Sequence, residues 1–355
     1  MSDGVKRIVA TERPRPPQTP GLGDAHEATA GAARATDRDP RLLPHVTAWL
    51  AALEESDMDE LYTFDPMYQR LLGIDIRGAE IGGVRIAGAE HAVPMAEMLD
   101  LSGKTAIVTG GARGLGFCIV NRLTEAGARV MIVDVAVDFA QAAVDYFAGK
   151  GRGVRFEIAD IRDLAQVQRA VDATVEAFGG VDILVNDAAF WRVVKFLDLT
   201  ESTWDAVVDT GLKGTVFFTQ AVARRMVEQG RGGRIVNVAS VAGISMESSY
   251  GMLIPYVAAK SGVVGISQSL ARELKPLGIT INCVLPGGMM SAGAVHSSTE
   301  LTPELREAMG EPGQVPVTDP DEVARVVFML ATPVSDFMHG ATVVVDGGAR
   351  LMIKK

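Results

Sequence analysis

The chain is short of the residues that mark several kinds of protein. Only two cysteines, Cys118 and Cys283, occur in 355 residues, and they lie far apart in apolar surroundings. That excludes a disulfide framework or a thiolate metal centre and fits a reducing compartment. The five histidines form no cluster with carboxylates at ligand spacing, and His296, in SAGAVHSSTEL, reads as an exposed loop residue, so no metal is expected. Cationic side chains are in deficit, 34 Lys and Arg against 44 Asp and Glu, for a formal charge of −10. A partner held by phosphate neutralisation gathers basic residues, so nucleic acid is not an expected ligand. No segment approaches roughly 18 uninterrupted apolar residues, and the N-terminal MSDGVKRIVATERPRPPQTP lacks the apolar stretch of about 7–15 residues found in a secretion signal. A cytoplasmic protein without a membrane span is expected.

What remains is ample for a core: 48% of the residues are hydrophobic and 22% charged. The length allows one large α/β domain with an appendage, or two domains. Residues 1–40 are rich in Pro, Gly, Ala and Thr without helical or strand periodicity, which predicts a disordered arm. From Pro40 the pattern changes. Leu42, Leu43, Val46, Trp49, Leu50 and Leu53 recur at helical spacing, a second apolar set runs from Leu61 to Leu72, and IDIRG and GVRIAG look like short strands or a hairpin. Residues 41–98 are therefore expected to pack on their own domain or on a neighbouring subunit. Residues 1–98 hold 10 basic and 16 acidic side chains, consistent with a solvated acidic face.

A different rhythm begins near Asp100, so residues 99–355 are expected to form the main domain. Strand-like TAIVT, RVMIVD, VRFEIAD, DILVN, GRIVNVAS, TINCVLPG and ATVVVDGG alternate with helical stretches, among them 115–127, 137–149, 162–178, 256–274 and 321–331. Buried β-rich runs separated by helices predict a parallel sheet covered on both faces, a doubly wound α/β fold. Ligands then gather at the carboxyl ends of the strands.

Three features at those ends carry chemistry. TGGARGLG, Thr109 to Gly116, follows a strand and opens a helix, so Gly110, Gly114 and Gly116 can bring backbone close to a pyrophosphate at a helix N-terminus. Asp134 ends the next strand, where a carboxylate accepts from ribose hydroxyls and repels a 2′-phosphate, favouring NAD over NADP; Arg113 pulls the other way. Tyr256 and Lys260 in YVAAK share one helical face. An ammonium near a phenol whose ordinary pKa is about 10 favours the phenolate, which makes Tyr256 an acid or base. Ser240 closes the run RIVNVA, where its hydroxyl can orient a carbonyl or alcohol oxygen.

In this order the residues resemble the classical short-chain dehydrogenase/reductase superfamily, over about residues 100–350. The resemblance implies a Rossmann-like doubly wound sheet, with Tyr256 as general acid/base, Lys260 holding the nicotinamide ribose and Ser240 positioning substrate. It implies a dinucleotide held by Gly110, Arg113, Gly114, Leu115, Gly116, Asp134, Asp160, Ile161, Asn186, Ala188, Tyr256, Lys260, Pro286, Gly287 and Ser291. It also implies a homotetramer or homodimer acting on a small-molecule alcohol or ketone. Three positions depart from the family pattern. Gly211, in DTGLKG, stands where an asparagine commonly supports a proton relay. NDAA, at Asn186–Ala189, replaces the commoner NNAG and so introduces Asp187. The Ser240-to-Tyr256 interval is lengthened by MESSYGMLI. Phe190, Trp191, Met246, Met252, Met289 and Met290 fall in loops expected to surround an apolar or ring-containing substrate. Two alternatives stay open: a lyase, dehydratase or epimerase using the same Tyr-Lys pair with bound NAD, and a nucleotide-sensing or scaffolding protein with a vestigial redox site.

Overall fold

The computed structural model describes the backbone at 80–81 and 84–85 and residues 93–244, 252–289 and 317–351. The arm, the helix anticipated from Leu42 and the apolar set from Leu61 lie outside the described residues, as do Met246, Met290, Ser291 and His296. The chain divides into two compact units, Met1–Val93 and Pro94–Lys355. Within the first, Glu80–Ile81 pairs antiparallel with Val84–Arg85, which places a two-residue strand inside GVRIAG. IDIRG itself is outside the described residues.

The second unit is built on seven strands: β1 (Thr105–Thr109), β2 (Arg129–Asp134), β3 (Val154–Ile158), β4 (Ile183–Asn186), β5 (Gly233–Val238), β6 (Ile279–Pro286) and β7 (Thr342–Val345). They pair in the order β7-β6-β5-β4-β1-β2-β3, every pair parallel. Sequence chemistry accounts for this choice. TAIVT is buried at all five positions, and a strand covered on both faces needs continuous apolar or small side chains rather than alternation. The connecting helices are α1 (Gly114–Glu125), α2 (Val137–Ala148), α3 (Leu164–Phe178), α4 (Glu201–Val208), α5 (Gly214–Gln229), α6 (Ile254–Leu274) and α7 (Pro320–Leu330). Asp163, Thr200 and Asp319 cap α3, α4 and α7 by accepting from amides of the first turn.

Two apolar layers hold the helices to the sheet. On one face Ile119, Leu123, Phe147, Val323 and Leu330 from α1, α2 and α7 pack over β1 and β2. On the other, Val167, Val171, Phe218, Val222 and Met226 from α3 and α5 pack with Leu184 and Ile235. Between β4 and β5 lie two helices, α4 and α5, joined by a five-residue π turn, Asp209–Lys213. Beyond β6 the chain forms a short strand, Gly288–Met289, parallel to Val317–Thr318.

The sheet order positions the site. After β1 the chain winds to β2 and β3 on one side, then returns to place β4 on the other side of β1, with Thr109 in register with Asn186. Loops leaving β1 and β4 diverge, and the crevice between them is the usual ligand position in such sheets. Among the described residues, no helix is long and apolar enough to cross a membrane.

Phe218 is fully buried in the second layer, so Phe218→Ala is expected to lower unfolding stability by about 3–5 kcal/mol. Urea unfolding checks this through a lower midpoint with an unchanged slope.

Candidate active site

The β1-α1 connection is shaped by contact distances that exclude side chains. Gly110 has φ +69°, and a Cβ there would lie 2.9 Å from Cα of Ala188 in the β4 loop. A Cβ on Gly116 would fall 2.1 Å from the Gly110 carbonyl oxygen. The first turn of α1 therefore lies directly against the strand end, with its N-terminus opening into the crevice. That is a cradle for an anionic group, and it fits the phosphates of a dinucleotide.

A cleft of about 540 Å³ runs from this cradle across the strand ends. Of the residues expected at a cofactor, Gly110, Arg113, Gly114, Leu115, Asp134, Asp160, Ile161, Ala188, Tyr256, Lys260, Pro286 and Gly287 border it. So do Ser240 and, from the expected substrate set, Phe190, Trp191 and Met289. Gly116 lies behind the cradle as a packing glycine. Asn186 turns into the sheet, where its Nδ2 donates to Thr219 Oγ1 at 2.9 Å and Asn237 Oδ1 at 2.8 Å. Met252 is not among the lining residues; it holds a positive φ of 66° and accepts from the amide of Val194. Val135, Arg162 and Thr210 also line the cleft, although the sequence reading did not single them out. For Val135 a signal existed: an apolar residue directly after a strand-ending acid, left 62% exposed in the structure.

The acidic groups of the cleft beyond β2 and β3 are held in place. Asp134 accepts from the amides of Val135 at 2.8 Å, Ala136 at 3.0 Å and Ala112 at 3.2 Å, which ties the end of β2 to the glycine-rich turn. Asp160 is clamped by Arg162, whose Nη2 lies 2.5 Å from Oδ2, and the guanidinium holds the carboxyl below its ordinary range. The Arg113 guanidinium stacks over the Phe139 ring at 5.0 Å.

At the other end, Ser240 ends the β5 loop and accepts from the amide of Ala242 at 3.1 Å, capping a 3₁₀ turn at Val241–Gly243. The turn rests on α6, where the Ser261 hydroxyl donates to the Gly243 carbonyl at 2.9 Å. α6 begins two residues before Tyr256 with Pro255 in its first turn. Lys260, one turn on, is 3% exposed; its Nζ donates to the Val238 carbonyl at 2.7 Å and lies 5.8 Å from the Tyr256 ring centroid. Burial depresses the Lys260 pKa, while Asp187 and Cys283 oppose that shift.

The two substitutions in the family pattern have local explanations. Gly211 sits buried in the π turn that packs on α6, and a Cβ there would approach Ala259 Cβ, next to Lys260, to 3.2 Å. Its carbonyl accepts from Thr215 at 3.2 Å. Asp187 borders the cleft, where the nearby Gly116 amide favours its charged form. Burial, with Asp134 adding repulsion against the attraction of Lys260, pushes its pKa up to about 7.

The fold and this crevice define a Rossmann-like α/β protein with an oxidoreductase-type strand-end site. The short chain dehydrogenase family profile matches residues 104–301. The chain is 37% identical over 263 residues to the (2S)-[(R)-hydroxy(phenyl)methyl]succinyl-CoA dehydrogenase subunit BbsD of Thauera aromatica, covering 71% of this chain and 99% of that protein. It is 33% identical over 256 residues to sorbitol dehydrogenase of Cereibacter sphaeroides, covering 70% and 98%. Among solved structures, gox2181 superimposes with a TM-score of 0.66 at 38% identity, covering 72% of this chain and 99% of the other. The chain belongs to the short-chain dehydrogenase/reductase family, whose oxidoreductases use NAD(P).

A carboxyl whose pKa is raised on folding weakens the fold as pH climbs from its unfolded value near 4 to its folded value near 7. Asp187→Asn is therefore expected to leave thermal stability nearly unchanged at about pH 4 and to raise it relative to wild type by pH 7. Scanning calorimetry at both pH values checks the sign.

Proposed function

We propose that the chain is an NAD-dependent oxidoreductase that interconverts a secondary alcohol and a ketone. One observation carries the reading: Ser240, Tyr256 and Lys260 border the same cleft that ends at the Gly110–Gly116 cradle. In this reading bound nicotinamide supplies the hydride chemistry, and the protein supplies alignment and proton transfer. Tyr256 gives the phenolic proton to the carbonyl oxygen on reduction and takes it back on oxidation. Lys260, held by the Val238 carbonyl, sets a positive charge behind that phenol and reaches the nicotinamide ribose. Ser240 fixes the substrate oxygen, its orientation set by its hydrogen bond with Ala242.

NAD is preferred because the Asp134 carboxylate stands at the end of β2, while Arg113 is turned onto Phe139 rather than left as an isolated cation. Phe190, Trp191 and Met289 give the open end of the cleft an apolar lining suited to a ring-bearing substrate. Likeness to the phenyl-named dehydrogenase subunit supports that choice, and likeness to sorbitol dehydrogenase points to polyols. Residues 99–355 form the catalytic domain in this proposal. Residues 1–40 form an arm, and residues 41–98 a packing or subunit contact in a homo-oligomer of the cytoplasm.

Absorbance at 340 nm with NADH and NADPH against aromatic and cyclic ketones, and with NAD against alcohols and polyols, tests the reading. NADH is expected to give the higher kcat/KM. A preference for NADPH removes the role given to Asp134, and polyol turnover alone removes the ring-bearing substrate. Tyr256→Phe is expected to retain NADH binding by fluorescence while losing roughly 10²–10⁴-fold in turnover.

A further inference from the structure

Arg113, Arg162 and Lys260 are the cations that border the cleft, and the first two differ in how they end. Arg162 is paired with the Asp160 carboxylate, as Lys260 is bonded to the Val238 carbonyl. Arg113 ends on a ring: its guanidinium carbon lies 5.0 Å from the centroid of Phe139. Arg113 is the exposed N-cap of α1 and directly follows Ala112, whose amide donates to Asp134 Oδ2 at 3.2 Å. Its side chain thus starts beside a carboxylate that would suit a guanidinium, and it is directed onto Phe139 instead.

Burial does not account for that ring. Phe139 stands in the first turn of α2 and is 52% exposed, while the same helix turns Ala140, Ala143 and Phe147 into the core. It belongs to neither apolar layer. An aromatic face within about 6 Å of a guanidinium attracts it electrostatically, so the contact keeps a long, otherwise mobile side chain in one place. Its place over Arg113 is what makes an aromatic residue useful at this exposed position.

Charge decides what Arg113 would do if released. In the dinucleotide reading Asp134 receives the ribose 2′-hydroxyl and repels a 2′-phosphate. A guanidinium moved onto Asp134 cancels the repulsion, and one moved onto the phosphate replaces it with attraction. Both movements favour the phosphorylated dinucleotide. We propose that Phe139 is a specificity-determining positioning residue: its ring holds Arg113 off the Asp134 carboxylate and away from the ribose 2′ position, which preserves the preference for NAD over NADP. This rests on the dinucleotide reading above and adds to it the residue that decides between its two opposing charges.

The test is fluorescence titration of the full chain with NADH and with NADPH, for wild type, Phe139→Leu, Phe139→Tyr, Arg113→Ala and the double variant Arg113→Ala/Phe139→Leu. The quantity read is the ratio of the two Kd values, NADPH over NADH. Phe139→Leu removes the ring face and keeps an apolar side chain. Exposed contacts of this kind hold a cation by a factor of roughly two to five, and the ratio is expected to fall by about that factor. Phe139→Tyr keeps the face and is expected to hold the wild-type ratio. In the Arg113→Ala background, Phe139→Leu is expected to leave the ratio where it stands, because the partner is already gone. Since Phe139 lies outside both apolar layers, its variants are expected to melt at the wild-type temperature. A ratio that does not move in Phe139→Leu, that moves as far in Phe139→Tyr, or that still moves in the absence of Arg113 overturns the proposal while the dinucleotide reading stands. A wild type that binds NADPH more tightly than NADH overturns the NAD preference and the proposal together. Absence of binding of either dinucleotide to wild type overturns the dinucleotide reading itself.

Discussion

The structure depends on a contact that leaves no room for a side chain. The first turn of α1 lies so close to the end of β1 that a single methyl at Gly116 would overlap the carbonyl of Gly110. The same strand end approaches the β4 loop until a Cβ at Gly110 would meet the backbone of Ala188. The β1–α1 turn and the β4 loop, about 70 residues apart in sequence, are drawn to one point, and that point is where the parallel sheet reverses its winding order.

Around that contact the cleft is organised by how its charges are satisfied. Asp134 is held by three amides, one from the glycine-rich turn itself, and Asp160 is neutralised by Arg162 two residues on. Lys260 is buried and finds a backbone carbonyl at the end of β5. Burial and repulsion from Asp134 raise the Asp187 pKa, against the attraction of Lys260. Fixed groups of this kind orient a ligand without reorganising when it arrives.

The far end of the cleft is set by packing between elements that are remote in sequence. The turn after β5 rests on α6 through Gly243 and Ser261, which brings Ser240 to the helix that carries Tyr256 and Lys260. The π turn between α4 and α5 presses on the same helix at Ala259, and Gly211 has the size that this approach tolerates. A larger residue would have to push α6 or the turn aside. Substitution at position 211 is thus as much a matter of helix spacing as of proton transfer.

Much of this was legible in the sequence because it depends on short-range periodicity. Seven apolar runs separated by helical stretches imply the parallel sheet, TGGARGLG between a strand and a helix implies the cradle, and YVAAK puts Tyr256 and Lys260 on one face whatever surrounds them. Tertiary structure alone decided which way each polar group turned. Asn186 belongs to NDAA, but its side chain enters a buried network with Thr219 and Asn237, partners 33 and 51 residues away. Arg162 and Thr210 reach the cleft by winding of the chain, without a local pattern to announce them. The raised pKa of Asp187 likewise has no sequence signature, since it arises from burial and from charges on β2 and α6 that only folding brings near. Local spacing fixes which residues share an element; desolvation and long-range contact fix what those residues do together.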